Sequence, residues 1–249
     1  MSRLPTLFVS HGSPMVLAQP SPARDFLSQL GASLPRASAI LVVSAHWTTG
    51  RPTVSNAARP RTIHDFHGFP PQLYDLHYQP PGAPELAERV AELTGAETAE
   101  YGLDHGAWVP LLLGWPDEDI PVTQLSVQPA LGPLHHYQLG QKLALLREAG
   151  VLVLASGALT HNLRAYFSDD PRAMARSQAF AGWMAETVAK DRIDDLLNYR
   201  TKAPDAAYAH PTDEHLLPLY VALGAADGAG RVLHRSFDGN LAMDAYAWG

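Results

Sequence analysis

Ala39-Ile40-Leu41-Val42-Val43-Ser44-Ala45-His46 and Val151-Leu152-Val153-Leu154-Ala155-Ser156-Gly157 decide the fold. Each opens as a run of consecutive apolar residues and ends in small and polar ones. A strand with one wet face alternates apolar and polar side chains. A strand that is apolar at successive positions is covered on both faces, as in a parallel sheet between two helical layers. Working outward, Thr6–Ser10 and Val122–Val127 also have strand character, and weaker strands are expected near Pro52–Asn56, Thr98–Tyr101 and Arg231–Phe237. Helical patterns fill the intervals. Ser21-Pro22 is a cap and first-turn proline for a helix reaching Leu30, and Pro84 opens one that stops before Gly95. Pro133 opens a helix through Glu148, Arg172–Lys190 has amphipathic spacing, and Leu216–Leu223 is a further helical run. The expected fold class is therefore α/β: one domain over residues 1–249, with a central mostly parallel or mixed sheet flanked by helices on both faces. The proline-rich segment Arg59–Pro84 is too long for a mere connection and is expected to be functional or a lid.

Composition narrows the function. With 18 Lys+Arg against 25 Asp+Glu, a formal charge of −7, the chain lacks the basic balance of a general nucleic-acid binder. A hydrophobic content of 46% with 17% charged residues excludes a mainly disordered chain. The absence of cysteine removes disulfides, thiolate metal sites, iron–sulfur clusters and a cysteine nucleophile together. Apolar stretches of about five residues fall far short of the roughly twenty that a membrane span needs. The first of them, Leu7–Val9, breaks too soon for a signal peptide. A cytoplasmic protein without membrane or nucleic-acid partners is the expectation. Nothing resembles a heptad seam, and a homodimer is allowed rather than indicated.

The 12 histidines matter by position. His11 follows the first strand, His46 the second, and His161 the strand that begins at Val151. Parallel strands end at one edge of the sheet, where open α/β folds bind their ligands. Three histidines distant in sequence should therefore meet. His215, ahead of the last helical run, and His105, in a short loop before the apolar run around Leu111, are further candidates. A lone histidine at a strand end is more often a hydrogen-bonded core residue than a ligand; three with the same placement reverse that balance. Imidazole nitrogens suit zinc, iron, copper and nickel. His135 and His136 are expected to face solvent and His234 to be structural. His210 is even between support of the site and neither role. His64, His67 and His77 lie on the long loop, at a pocket mouth or simply exposed.

Competing chemistries fall away. No serine sits in a G-x-S-x-G elbow, and G-x-G-x-x-G, Walker A and H-E-x-x-H motifs are absent. A histidine-rich metal site in an α/β enzyme remains.

At these residues the chain resembles a known family. The segments are His11-Gly12-Ser13-Pro14, Val43-Ser44-Ala45-His46-Trp47, Thr62-Ile63-His64-Asp65-Phe66 with Gly68-Phe69-Pro70, and Tyr101-Gly102-Leu103-Asp104-His105-Gly106. Pro121-Val122-Thr123-Gln124-Leu125-Ser126, Ser156-Gly157 with Thr160-His161-Asn162-Leu163, and Pro211-Thr212-Asp213-Glu214-His215 with Pro218-Leu219 complete the set. Each is weak alone, but seven in order resemble the class III extradiol ring-cleavage dioxygenases of the type that opens 3,4-dihydroxyphenylalanine (DOPA) and related catechols. The resemblance implies His11, His46 and His215 as metal ligands, with His161 beside the metal as a fourth ligand or as the acid/base. It implies a catalytic or substrate-contacting His105, a catechol and O₂ as substrates, Fe(II) for activity, and a set of ligands that also suits Zn(II). Tyr74 and the loop from His64 to Pro71 are candidates for the substrate pocket wall. Better-known members place a carboxylate where His215 stands. Glu214, next to it, would point elsewhere if the segment is helical, because helical neighbours do not share a face. Two alternatives stay open: a zinc hydrolase on the same histidines, and a non-catalytic metal or small-molecule binding protein.

Overall fold

The computed structural model describes residues 3–249. Its strands are β1 (Thr6–Ser10), β2 (Ala39–Thr48), β3 (Thr53–Ser55), β4 (Glu97–Ala99), β5 (Val122–Val127), β6 (Val151–Gly157), β7 (Arg231–His234), β8 (Phe237–Asp238), β9 (Leu241–Ala242) and β10 (Ala245–Trp248). Eight of them form one sheet in the order β4-β3-β5-β2-β6-β1-β10-β7, and β8 and β9 pair as a separate hairpin. The central strands β5, β2, β6 and β1 are mutually parallel, so their C-terminal ends share an edge. Antiparallel partners close both flanks: β3 against β5, and β10 and β7 beyond β1. The sheet is mixed around a parallel centre.

The helices are α1 (Pro22–Leu30), α2 (Pro84–Thr94), α3 (His105–Gly114), α4 (Gly132–Leu143), α5 (Leu163–Tyr166), α6 (Ala173–Ala189), three short turns α7 (Ile193–Leu197), α8 (Tyr199–Lys202) and α9 (Ala206–Ala209), and α10 (Leu217–Gly224). The sheet separates two cores. Phe8, Leu41, Val43, Leu125 and Ala155 pack toward α2, α4, α6 and α10, while Leu7, Val9, Ile40, Val42, Leu152 and Leu154 pack toward α1 and α3. This is why the central strands read as unbroken apolar runs: odd and even positions are buried against different layers. No helix among the described residues is long and apolar enough to cross a membrane.

Several boundaries differ from the sequence expectation. β2 continues to Thr48, so His46 lies within the strand, and the predicted strand over Arg231–Phe237 is divided between β7 and β8. The helix after Pro133 stops at Leu143 and tightens into a 3₁₀ turn, Ala144–Arg147. The short loop expected at His105 is instead the first turn of helix α3, which continues through the apolar run around Leu111. Its two glycines and Pro110 argue against a helix, and with Gly106 through Leu111 all buried it has no wet face to give it a period. Instead, Asp104 caps its first turn through Ala107 N–H at 3.2 Å. His136 is buried rather than solvent-facing. The loop after β5 folds back onto the first turn of α4, so its Nε2 accepts the Gln128 backbone N–H at 3.0 Å while Nδ1 faces the Gly132 carbonyl at 2.7 Å.

Helices α4 and α10 cross at two glycines. A Cβ on Gly224 would lie 2.0 Å from the Tyr137 carbonyl oxygen, and one on Gly140 would lie 2.2 Å from that of Val221. Gly224→Ala is expected to force the helices apart and cost about 1–3 kcal/mol, read as a lower thermal midpoint. Gly182, on α6 with no atom within 4 Å of such a Cβ, is the control: its Ala variant should be stabilised by roughly 0.5–1 kcal/mol.

Candidate metal centre

Four histidines converge at the C-terminal edge of the parallel strands, and a fifth stacks on one of them. His11 follows β1 and is tied to β6 by its backbone N–H on the Gly157 carbonyl, 3.0 Å. His46 projects where the β2–β5 register shifts between Val43 and Thr48, the kind of irregularity that re-aims a side chain at a sheet rim. His215 lies in the turn before α10, pinned by Ala158 N–H on its carbonyl at 2.9 Å. This close approach needs Gly157, since a Cβ there would stand 2.1 Å from the His215 oxygen. His105 is the first residue of α3. Its ring centroid is 3.9 Å from that of His46 and 5.5 Å from that of His11. His161, past the end of β6, stacks on His215 with centroids 3.4 Å apart and 12° between planes.

The tautomers follow from the partners. Ser156 Oγ gives its single proton to the Gly106 carbonyl, so it accepts from His11 Nδ1 at 3.0 Å. That carbonyl is free because Pro110, four residues on, has no N–H to occupy it. Glu214 Oε1 accepts from His215 Nδ1 at 3.0 Å, and Asp65 Oδ2 faces His46 Nδ1 at 3.4 Å. His11 and His215 thus carry their protons on Nδ1, the carboxylate facing His46 Nδ1 favours the same tautomer there, and each ring turns a bare Nε2 inward. The Nε2 atoms of His11 and His46 are 3.1 Å apart, and those of His46 and His215 3.3 Å. Lone pairs facing at that distance repel unless a cation lies between them. Nitrogens about 2.0–2.1 Å from one ion are roughly 2.9–3.4 Å apart at bond angles of 90–109°, so these residues fit a metal. Burial, reinforced by the neighbouring rings, lowers His11 and His215 well below the ordinary imidazole range and pushes His46 down to about 3, favouring the neutral form that ligates.

Asp65 also accepts from the His105 backbone N–H at 2.8 Å and from its Nδ1 at 3.0 Å. Burial opposes ionisation of Asp65, but the His105 hydrogen bonds outweigh it and hold the carboxyl below its usual value. Asp65 reaches this position because the long loop is clamped: Ile63 N–H donates to the Leu103 carbonyl at 2.8 Å, and Trp108 Nε1 to the Ile63 carbonyl at 3.0 Å. Beneath it, Asp104 receives Ser44 Oγ and Gln124 Nε2; burial pushes its carboxyl up to about 6.

A cavity of about 420 Å³ opens above the histidines, lined by His11, His46, His105, His161 and His215 and walled largely by apolar side chains. Tyr74 and His64 stand one layer behind Phe66, which does line it. The Tyr74 hydroxyl meets the Phe66 carbonyl at 3.4 Å, and His64 Nε2 meets the Leu76 carbonyl at 2.9 Å. His210 is buried on the Leu159 carbonyl, and His234 stacks on Phe26 away from the cavity. Glu214 does not point away as a helical segment would require. Residues 214 and 215 form a turn ahead of α10, and this brings the carboxylate back onto the neighbouring ring. Sequence reading passed over Asp65, Ser156 and Glu214 as partners of the histidines. Their one signal in the sequence was membership of the histidine-bearing segments 62–66, 156–161 and 211–215, because the contacts themselves span 145 residues for Ser156 and 40 for Asp65 to His105.

Ser156→Ala should leave the fold intact but free His11 to adopt the other tautomer. The expected loss of metal affinity is about 10–100-fold, measured by competition with a chromophoric chelator.

The comparisons agree with this geometry. The family model described as the catalytic LigB subunit of aromatic ring-opening dioxygenase matches residues 5–245. A Beta vulgaris protein named 4,5-DOPA dioxygenase extradiol is 41% identical over 248 residues, 95% of this chain and 92% of its own. An Escherichia coli (strain K12) protein of the same name is 40% identical over 236 residues, 91% and 87% of the two chains. The crystal structure of an uncharacterized Escherichia coli K12 protein superposes with a TM-score of 0.80 at 34% identity, over 99% of this chain and all of that one (100%). With the family pattern running almost end to end and a histidine cluster at the sheet edge whose members His11, His46 and His105 lie close enough together to hold a metal, beside His215, His161 and Glu214, the chain belongs to the LigB family of extradiol, aromatic ring-opening dioxygenases.

Proposed function

We propose that the enzyme opens the ring of a DOPA-like catechol with O₂, on a divalent metal held by His11, His46 and His215, and that the working metal is Fe(II). The observation that carries this reading is the inward convergence of three Nε2 lone pairs at the floor of an apolar cavity. An all-imidazole donor set suits Zn(II) equally, but a d¹⁰ ion has no redox chemistry to offer O₂. Bound there, Fe(II) would acidify the catechol hydroxyls and supply the redox-active centre at which catechol and O₂ meet.

The chain's own groups do the rest. His105, with its Nδ1 proton held by Asp65, presents Nε2 as a base for a catechol hydroxyl proton. His161 has no side-chain hydrogen bond of its own to orient it away from the cavity, and its stacking on His215 keeps its edge beside the reacting ring. We assign it the proton delivered later in the reaction rather than a fourth ligand position. Burial lowers its pKa more than nearby Glu214 raises it, so it stands neutral and able to accept before it donates. Phe66, Phe69 and Met243 grip the aromatic ring and exclude water. Both substrates are small molecules.

The direct test is oxygen uptake with a panel of catechols after anaerobic Fe(II) loading, together with the visible absorbance of a ring-opened semialdehyde. Uptake is expected with Fe(II) and not with Zn(II); no uptake across the panel overturns the proposal. His46→Ala should lose metal and turnover together. His161→Ala should retain metal while kcat falls about 10²–10⁴-fold; loss of metal in that variant would make His161 a ligand instead. Asp65→Asn should lower kcat with metal retained, because an amide no longer fixes the His105 proton on Nδ1.

A further inference from the structure

The cavity wall beyond the histidines has a one-sided charge. Phe66, Phe69, Leu163, Leu241 and Met243 form its apolar surface, and neither lysine nor arginine lines it. The one carboxylic acid in the lining is Asp238, exposed at the rim on the first strand of the β8–β9 hairpin. Its Oδ1 accepts the Tyr166 hydroxyl at 3.3 Å. The nearby cations are engaged elsewhere or turned away. Arg235 Nε is 2.9 Å from Asp244 Oδ2. On α5, Leu163 and Tyr166, three apart, share the face that lines the cavity, whereas Arg164 is exposed and does not line it.

The rim is also fixed in place. Asn240 Nδ2, in the hairpin turn, donates to the Ala165 carbonyl at 3.0 Å, and Ala242 N–H donates to Thr160 Oγ1 at 2.8 Å. The hairpin and the segment from Thr160 to Tyr166 therefore hold one another, and the Asp238 carboxylate is positioned before any ligand arrives.

We propose that Asp238 selects catechols whose side chain carries an ammonium group, alone or beside a carboxylate as in DOPA, over those whose side chain carries a carboxylate alone; this rests on the ring-opening reading above. A catechol seated with its two oxygens at the histidines extends its side chain toward the rim. An ammonium there meets a preplaced carboxylate. A carboxylate meets apolar walls, a like charge and no cation, so it gives up hydration without compensation.

Three probes separate the outcomes: dopamine (cationic), 4-methylcatechol (neutral) and dihydrocaffeate (anionic). Their binding to the Zn(II)-loaded protein is measured anaerobically by calorimetry, and their kcat/KM on the Fe(II)-loaded enzyme. Dopamine should bind best and dihydrocaffeate worst, about tenfold or more apart. Asp238→Asn should narrow that ratio about fivefold, the worth of an exposed ion pair, and Asp238→Lys should reverse the order. Equal binding of the three probes by the unaltered protein, or a ratio unmoved in both variants, overturns the proposal. Turnover of all three without charge preference overturns only the selectivity, whereas turnover of none overturns the ring-opening reading and this inference with it.

Discussion

Everything at this site depends on keeping three protons off three Nε2 atoms. Facing imidazole nitrogens at 3.1 and 3.3 Å can share a cation only when each presents a lone pair. The fold enforces this from behind the rings, using Ser156, Asp65 and Glu214 to hold the Nδ1 protons. The Ser156 link shows how far the constraint reaches. A proline inside α3 leaves a carbonyl unpaired, the carbonyl takes the serine proton, and the serine can then only accept from His11. A helix defect thereby sets the protonation of a residue almost a hundred positions away in the chain. The same polar groups would be costly if left unpartnered in a buried setting, so the network stabilises the sheet edge and the site together.

The sheet supplies the convergence. Parallel strands β1, β2 and β6 end at one edge; the connections leaving β1 and β6 carry His11 and His161, and the end of β2 itself carries His46. His215 and His105 come from helix-flanking positions that pack onto that edge, the first held by the bare Gly157 and the second by the Asp104 cap. Above this polar floor, the wall is apolar and supplied by the long loop, α5 and the β8–β9 hairpin. On the proposed reading, chemistry and selectivity belong to different layers: the sheet edge for the metal and protons, peripheral segments for the ring and its side chain. The first can stay constant while the second varies, as with many sites built on rigid scaffolds and finished by loops.

The chain itself determined the architecture to within element ends. Consecutive apolar residues at 39–43 and 151–155 dictated a doubly covered sheet, and proline and glycine punctuation marked α1 and α2. Strand-end placement of His11, His46 and His161 pointed to a common edge. Local patterns failed where local signals conflict with burial: α3 has no polar face to reveal a helical period, and His136 has a surface-like position in a first turn that the preceding loop covers. What only the tertiary structure decided is the direction in which each side chain turns. A turn rather than a helix at 214 and 215 brings Glu214 onto His215, a clamped loop brings Asp65 under His105 and His46, and a hairpin clasped to α5 places Asp238 at the rim. Apart from the Glu214–His215 pair, these are contacts between residues tens of positions apart. They are set by hydrogen bonds and close approaches across packed elements, and neither periodicity nor propensity records such distances.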